Sequence, residues 1–297
     1  TQWVKGDRRY FRYESDVPVM NFYSYLSAEY SVARERWQDV DIEVYYHDAH
    51  HYNLDRMIDS VKSSLNYYSQ AFGPYQYDHL RIVEFPAYRE FAQAFPGTIP
   101  FSEGIGFIAD VTDPDELDLP FYVTAHEVAH QWWGHQVMAA NTQGASMLME
   151  TLAQYSALMV MEARYGKHKV RQFLQQELDR YLSERAHDAE GELPLYKVEK
   201  QAYIHYRKGG LVMYALKDYI GERTVNRALK KFINDFQYRS QPYAVSTDLI
   251  GYLLEESSDE FHHLIEDLFQ RITIYETEML AAHITQLAEG NYKVVLE

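Results

Sequence analysis

The sequence predicts an α+β fold in which a small mixed subdomain precedes a mainly helical one. The segment Val40–Tyr46 alternates between apolar and polar side chains for most of its length, which is typical of a half-buried strand. A second candidate strand, His79–Phe85, ends before Pro86. From about residue 120 onwards, apolar residues recur mostly at helical spacing. Candidate strands therefore lie mainly near the start of the chain, and candidate helices make up most of the rest.

The composition indicates a globular protein and argues against nucleic-acid binding. With 297 residues, 46% of them hydrophobic, the chain can bury a sizeable core. A net charge of −16 does not suit nucleic acid, and it favours a cationic substrate end such as the α-amine of a peptide. The sequence has no cysteine, which leaves the redox compartment open, and no apolar run of the roughly eighteen residues that predict a membrane span.

The first part of the chain is predicted to contain a tail, the two strands and a long helix. Residues 1–39 are aromatic and mixed in charge, and we interpret them as the tail of a preceding β-rich domain or as a wrapping segment. Apolar residues from Leu54 to Tyr68 recur at helical spacing, with Asn53 as the predicted N-cap. Residues 40–282 are predicted to form the main domain, and residues 283–297 the start of a following β domain.

The second part is predicted to consist of helices joined by short loops. Gly134, Gly166 and Gly221 mark expected helix ends. A polar loop is expected at residues 186–194. The helical segments lie around residues 123–133, 146–161, 170–182 and 206–219, with shorter ones between 223 and 270.

The segment His126-Glu127-Val128-Ala129-His130 carries the strongest chemical signal. Residues four apart lie on one face of a helix, so His126 and His130 can offer two imidazoles to one ion, with Glu127 beside them. This is the spacing of a zinc hydrolase. Thr124 and Glu127 are also spaced as a capping box. A structural zinc site normally has four protein ligands, usually including cysteine, so a cysteine-free chain favours a catalytic site with a third ligand and an open position.

Glu150 is the candidate third ligand. It is the first acidic residue after Glu127, and it lies in an almost wholly apolar segment that predicts a buried helix. A lone carboxylate in such a helix is costly unless it meets a cation. Gln154, one turn further on, is a candidate for orienting the ligands through hydrogen bonds.

The segment His126–Gly134 resembles the signature of the aminopeptidase N family of gluzincins. Pro100–Phe107 lies where that family has its Gly-Ala-Met-Glu-Asn segment, with Glu103 on the glutamate of the motif. Tyr206-Arg207-Lys208-Gly209 resembles the family's Tyr-Glu-Lys-Gly segment, with Tyr206 on the catalytic tyrosine. The resemblance implies that residues 40–282 form a thermolysin-like catalytic domain.

The sequence also departs from the family pattern. Nineteen residues separate His130 from Glu150, whereas the family usually has eighteen and thermolysin has nineteen. Met149 and Thr151 flank the candidate ligand instead of Asn and Gly, Arg207 replaces a glutamate, and the Gly-Ala-Met-Glu-Asn segment is degenerate. These differences indicate a divergent branch and leave exopeptidase specificity open.

Three residues around position 103 are predicted to bind substrate. Glu103 is the candidate for binding the α-amine, as the resemblance implies. Gly104 and Gly106 would allow the backbone to approach a ligand, and an exposed strand edge there could pair with an extended peptide. Without the resemblance, the glycines would indicate an ordinary strand and Tyr206 a core aromatic residue.

The leading hypothesis is a zinc metallopeptidase, most simply an aminopeptidase with one Zn²⁺ per chain and a peptide as its substrate. Zinc held by His126, His130 and Glu150 would activate water, Glu127 would take its proton, and Tyr206 would stabilise the oxyanion. One alternative is a thermolysin-like endopeptidase. Another is a zinc-bearing, peptidase-derived binding or scaffold module, a soluble domain of a larger bacterial membrane protein.

Overall fold

Strands dominate the first third of the chain and helices most of the rest, as the sequence predicts. The computed structural model describes residues 1–113, 116–274, 279–287 and 291–296. The strands are β1 (Gln2–Lys5), β2 (Arg8–Phe11), β3 (Ser31–Trp37), β4 (Val40–Tyr46), β5 (His79–Phe85), β6 (Thr98–Ser102), β7 (Ala282–Gln286) and β8 (Tyr292–Leu296). The α-helices are α1 (Leu54–Ala71), α2 (Leu119–Ala129), α3 (Leu152–His187), α4 (Gly209–Ile220), α5 (Glu222–Phe236), α6 (Ser246–Glu256) and α7 (His262–Gln270).

A four-stranded mixed sheet with the order β3-β4-β5-β6 forms the base of the first subdomain. β3 and β4 pair in antiparallel fashion, whereas β4, β5 and β6 run parallel. Parallel strands need a crossover connection, and α1 supplies it between β4 and β5. Because β3 pairs with β4 along its whole length, the sheet begins before the domain boundary predicted at residue 40.

Hydrogen bonds attach α1 to α2, the helix that carries the paired histidines. The Tyr68 hydroxyl donates to the carbonyl of Ala125 at 2.9 Å, and the Ser60 hydroxyl donates to the carbonyl of Phe121 at 2.6 Å. All four residues are buried. α2 is therefore held in both position and register by the sheet subdomain.

The N-caps of these two helices differ from the sequence prediction. Asn53 makes no side-chain cap to α1; its amide instead donates to the carbonyls of Gly106 and Ala109, at 2.7 and 2.9 Å. α2 begins at Leu119, with Asp118 as its cap, so the capping box predicted from Thr124 was wrong. The local pattern could not show that the helix starts a turn earlier.

The helical subdomain is built around α3. Gly166 has a φ of +81° and kinks this helix without ending it, so the expected break is an interruption within one long element. After α3, an exposed stretch at residues 189–191 leads to a short 3₁₀ turn, Leu195–Lys197. No helix in the described ranges is long and apolar enough to cross a membrane.

Two hairpins stand apart from the central sheet. β1 pairs with β2, and β7 pairs with β8, each as an antiparallel two-stranded sheet. The strand predicted near residues 291–296 is therefore present, paired with the segment before it. Residues 288–290 and 297, part of the predicted following domain, lie outside the described residues.

Candidate active site

Two histidines at the end of α2 and a glutamate from the next helical segment bring three donor atoms together. The Nε2 atoms of His126 and His130 are 3.1 Å apart. Glu150 lies in a π-helical turn, Met147–Thr151, directly before α3, and its Oε2 is 3.3 Å from each of the two nitrogens. The three residues that the sequence predicts as metal ligands thus meet at one point.

The spacing of these atoms suits a tetrahedral metal site. Zinc binds nitrogen and carboxylate oxygen at about 2.0–2.2 Å, so two of its ligands in a tetrahedron lie about 3.3 Å apart. The three observed separations of 3.1, 3.3 and 3.3 Å are close to this value. His130 Nδ1 lies 3.0 Å from the carbonyl oxygen of Trp133, which accepts the Nδ1 proton and leaves Nε2 free to bind a metal.

The electrostatic interactions among His126, His130 and Glu150 also favour a bound cation. Burial opposes ionisation of Glu150, but the two imidazoles outweigh it and hold the pKa of this carboxyl far below its usual range. Burial likewise opposes a charge on His130, yet the Glu150 carboxylate raises its pKa to about 9. Positive charge is therefore stabilised between these side chains, and a metal ion would supply it.

Glu127 lies beside this group with an unused oxygen. Its side chain is buried, and Oε2 makes no hydrogen bond to any described residue. Burial raises the pKa of Glu127, while the imidazoles of His130 and His126 oppose that rise. A buried carboxylate with a free oxygen next to a metal position can accept a proton from water.

Tyr206 approaches the same group from a second π-helical turn, Tyr203–Lys208. Its ring centroid is 5.8 Å from that of His126. Burial and the nearby Glu150 carboxylate raise the pKa of Tyr206 far above its usual value, so the hydroxyl keeps its proton and remains a hydrogen-bond donor. The arrangement unites three metal donors, a proton acceptor and a neutral donor.

A comparison with known protein families identifies the family of this chain. The Peptidase family M1 domain matches residues 56–270, which is most of the chain. The chain belongs to peptidase family M1. This confirms the resemblance to the aminopeptidase N family, and membership of M1 implies zinc as the metal.

Curated relatives of this M1 chain are longer proteins. It is 22% identical to Tricorn protease-interacting factor F2 of Thermoplasma volcanium over 271 residues, which cover 88% of the chain and 34% of that protein. It is 25% identical to Probable aminopeptidase 1 of Sulfurisphaera tokodaii over 219 residues, covering 71% of the chain and 27% of the relative. The chain thus spans about a third of the length of these relatives.

Solved M1 structures confirm the fold. The M1 zinc metallopeptidase from Deinococcus radiodurans has a TM-score of 0.62 and 18% identity, over 86% of this chain and 54% of that one. A mutant of the same protein bound to the substrate Tyr-Ser-Ala has a TM-score of 0.66 and 16% identity, over 93% and 60% of the two chains. The predicted α+β, thermolysin-like architecture is therefore confirmed.

Close helix packing holds Tyr206 near Glu150. The Thr151 hydroxyl donates to the carbonyl of His205 at 2.6 Å, which joins the two π-helical turns. A Cβ on Gly209 would lie 2.3 Å from the Thr151 hydroxyl, so only glycine allows this approach. Lys208 is buried and paired with Glu192. The lysine and glycine of the Tyr-x-Lys-Gly segment therefore serve to dock Tyr206.

Gln154 bonds to a neighbouring tyrosine. The Tyr122 hydroxyl, one turn before His126 on α2, donates to the Gln154 side chain, one turn after Glu150. Both groups are largely buried, and the bond ties together the two helices that carry the metal donors. This placement fits the orienting role predicted for Gln154. Among the described residues, Gln154 makes no hydrogen bond to a metal donor itself, so the role stays a prediction.

Glu103 lies in a second cluster, with His50 and Glu84. His50 Nδ1 is 2.5 Å from the buried Glu84 Oε1 and 3.6 Å from Glu103 Oε2, and the backbone N–H of Ala87 donates to Glu103 Oε1 at 3.0 Å. A separation of 2.5 Å is too short for two ligands of one metal, so His50 and Glu84 share a hydrogen bond. No hydrogen bond joins Glu103 to the metal donors in the part of the chain that the structure describes, and its binding of an amine stays a prediction.

Gly104 and Gly106 follow the sheet in a turn. β6 ends at Ser102. One edge of β6 pairs with β5, and its other edge pairs with residues 91–95, so neither edge is free to bind a peptide. A Cβ on Gly106 would lie 2.6 Å from the Phe101 ring, so this glycine is required for packing. The exposed strand edge expected at these glycines is therefore absent, because the chain forms a turn there that packs against the Phe101 ring. The role of Gly104 and Gly106 in substrate binding stays a prediction.

His205 was not predicted from the sequence as a residue of the site. Its ring is buried and packs against Tyr206, with the centroids 4.5 Å apart. Burial lowers the pKa of His205; the Glu150 carboxylate acts in the opposite direction and His126 in the same direction, so the ring is neutral at neutral pH. The one feature of the sequence that could have suggested it is its position next to Tyr206. That feature is weak, because adjacent residues on an α-helix normally point in different directions.

Proposed function

We propose that this chain carries the catalytic site of a zinc aminopeptidase, which releases N-terminal residues from peptides. The observation that carries the proposal is the meeting of His126, His130 and Glu150 within 3.3 Å, with Glu127 and Tyr206 beside them. The name of the Sulfurisphaera relative, a probable aminopeptidase, supports exopeptidase activity. So does the net charge of −16, which favours a cationic substrate end.

The side chains divide the work of hydrolysis. A zinc ion held by His126, His130 and Glu150 would act as a Lewis acid that makes water acidic near neutral pH. The Glu127 carboxylate accepts the proton of the attacking water and delivers it to the leaving amine. The Tyr206 hydroxyl donates a hydrogen bond to the carbonyl oxygen as negative charge develops on it.

Glu103 would supply the exopeptidase specificity in this proposal. It lies at the end of the sheet, in a cluster that also contains Glu84 and one imidazole. Two carboxylates to one imidazole leave negative charge for the α-amine of a peptide. Replacing Glu103 with Ala should weaken turnover of unblocked peptides more than that of N-acetylated peptides. An equal effect on both would remove Glu103 from this role.

A peptide mixture tests the function directly. The zinc-loaded protein would be incubated with peptides, half of them N-acetylated, and the products followed by mass spectrometry. We expect stepwise loss of N-terminal residues from the free peptides only. The matched control is Glu127→Gln, which should keep the metal and lose at least about a hundredfold in rate.

Each other outcome contradicts the proposal in a distinct way. Internal cuts in both halves of the mixture would identify a thermolysin-like endopeptidase. No cleavage by protein shown to contain zinc would favour a binding or scaffold module. Retained activity in Glu127→Gln would exclude this residue as the base.

A further inference from the structure

His205 is a buried histidine next to the site whose ring makes no hydrogen bond to any described residue. The residue is only 8% exposed. Nδ1 is buried without a hydrogen bond, and neither ring nitrogen bonds to any residue that the structure describes. Buried polar groups in folded proteins are normally paired, and an unpaired one requires an explanation such as a ligand or a catalytic role.

The ring lies within the active-site group. It packs at 63° against Tyr206, with a centroid distance of 4.5 Å, and Tyr206 in turn contacts the ring of His126. A π-helical turn carries His205 and Tyr206 together, and π-helical turns are frequent at functional sites.

The chemistry of the ring determines what it can offer. A neutral imidazole has one N–H donor and one lone pair. A proton on the buried Nδ1 would be left without any acceptor, which favours the tautomer with the proton on Nε2. The second nitrogen is then a donor, like the Tyr206 hydroxyl.

We propose that His205 is a second catalytic hydrogen-bond donor, which acts with Tyr206 on the carbonyl oxygen of the scissile bond. The proton stays on the imidazole throughout, and the bond strengthens as the oxygen becomes negative. This inference rests on the proposed peptidase function. It explains why a histidine with an unpaired buried nitrogen lies beside the tyrosine.

Three substitutions of His205 separate hydrogen bonding from packing. His205→Phe keeps a ring against Tyr206 but cannot donate. His205→Gln loses the ring but places an amide nitrogen near the position of Nε2. His205→Asn places it near Nδ1 instead and is a second polar variant should the Phe variant fold poorly. His263→Gln, at an exposed histidine of α7, is the control.

The expected result is a loss of turnover that the right amide restores. Removing one oxyanion donor typically lowers kcat about 100-fold, so we expect this loss in His205→Phe, with KM changed less than about threefold. His205→Gln should recover at least about tenfold of the loss, and His205→Asn should not. Zinc content should match the parent protein in each variant, and each variant should remain folded at the temperature of the assay.

A binding measurement tests the same point without turnover. Calorimetry with an all-alanine phosphinic tripeptide, whose tetrahedral phosphorus carries the oxygen of the transition state, should show binding about 100-fold weaker in His205→Phe. Trialanine binding, measured in the Glu127→Gln background, should change less than about threefold. The difference identifies a contact made to the transition state.

Two results would overturn the inference. His205→Phe with kcat within about fivefold of the parent would show that the ring donates nothing. Equal losses in the Phe, Gln and Asn variants would assign His205 a role in shape alone. A parent protein that contains zinc yet neither cleaves peptides nor binds the phosphinic tripeptide would instead refute the peptidase function itself.

Discussion

Three side chains in the active site are buried with a polar atom that no described residue bonds. They are His126 at Nδ1, Glu127 at Oε2 and His205 at Nδ1. Each such atom costs about 1–3 kcal/mol of folding free energy, because its hydration is lost and not replaced. Their position at the candidate metal site indicates residues retained for binding or chemistry at the expense of stability.

The hydroxyl of Tyr206 gives the first residue-scale prediction. Tyr206→Phe keeps the ring that packs between His126 and His205 and removes only the donor. We expect kcat to fall about 100-fold with KM little changed, as steady-state kinetics on a free peptide would show. Tyr219→Phe, at an exposed tyrosine, is the control. An unchanged kcat would show that the hydroxyl does not reach the reacting carbonyl.

Glu192 links stability to pH. Burial alone would raise the pKa of Glu192, but hydrogen bonds from Lys208 and Arg185 outweigh it and lower the pKa below its ordinary value of 4.5. A folded-state pKa below that of the unfolded chain stabilises the fold above about pH 4.5, and this contribution is lost as the pH falls towards the folded-state value.

Glu192→Gln should therefore destabilise the protein at neutral pH. Because it leaves Lys208 buried without its partner, we expect a loss of about 2–4 kcal/mol at pH 7 in denaturant unfolding. The difference from the parent should shrink below about pH 4.5. Glu190→Gln, at an exposed neighbour, should change little. A difference that is constant from pH 7 to pH 3.5 would contradict the linkage.

At the scale of elements, both Glu150 and Tyr206 lie in π-helical turns. A π-helical turn closes its hydrogen bond over one residue more than an α-helical turn does. The segment between His130 and Glu150 has nineteen residues, one more than is usual in the family, and the turn Met147–Thr151 offers a place for the extra residue. The sequence shows the surplus but not where it is absorbed, because π-helical turns have no distinctive side-chain pattern.

The contact between Gly209 and Thr151 gives the element-scale prediction. In Gly209→Ala, the new Cβ would lie 2.3 Å from the Thr151 hydroxyl, so α4 must shift and carry Tyr206 with it. We expect a loss of at least about tenfold in kcat and a lower Tm. Gly251→Ala is the matched control, since a Cβ on this helical glycine meets nothing within 4 Å. Equal effects of the two substitutions would show that the packing at Gly209 does not position the tyrosine.

The sequence predicts the subdomains of the fold, but it does not predict the contacts between segments that are distant in the chain. The spacing of His126 and His130 and the isolation of Glu150 in an apolar segment point to one centre, and the structure brings all three together. The pairing of Glu103 with His50 and Glu84 was not predictable, because it depends on the register of parallel strands. The role of Asn53 was not predictable for the same reason, because its amide donates to a loop more than fifty residues away in the sequence.

Metal removal gives the prediction for the whole molecule. The three donors join the end of α2 to the turn before α3, so a bound zinc should stabilise the fold that it bridges. We expect a chelator to lower Tm and to abolish turnover, with both restored by added zinc. Glu150→Ala should lose zinc and show no response to the chelator. A variant that still holds one tight zinc would exclude Glu150 as a ligand.

The exposed stretch at residues 189–191 lies between the two halves of the site. The metal donors and Glu127 precede it, whereas Tyr206 and His205 follow it. A single cut there would yield one fragment with the candidate metal donors and another with the two proposed oxyanion donors. Bonds from Tyr181 and Arg185 to Glu192 and from Thr151 to His205 would hold the fragments together. If the proposed peptidase activity holds, the chain is suited to reconstitution from two inactive pieces, with activity as the reporter of their association.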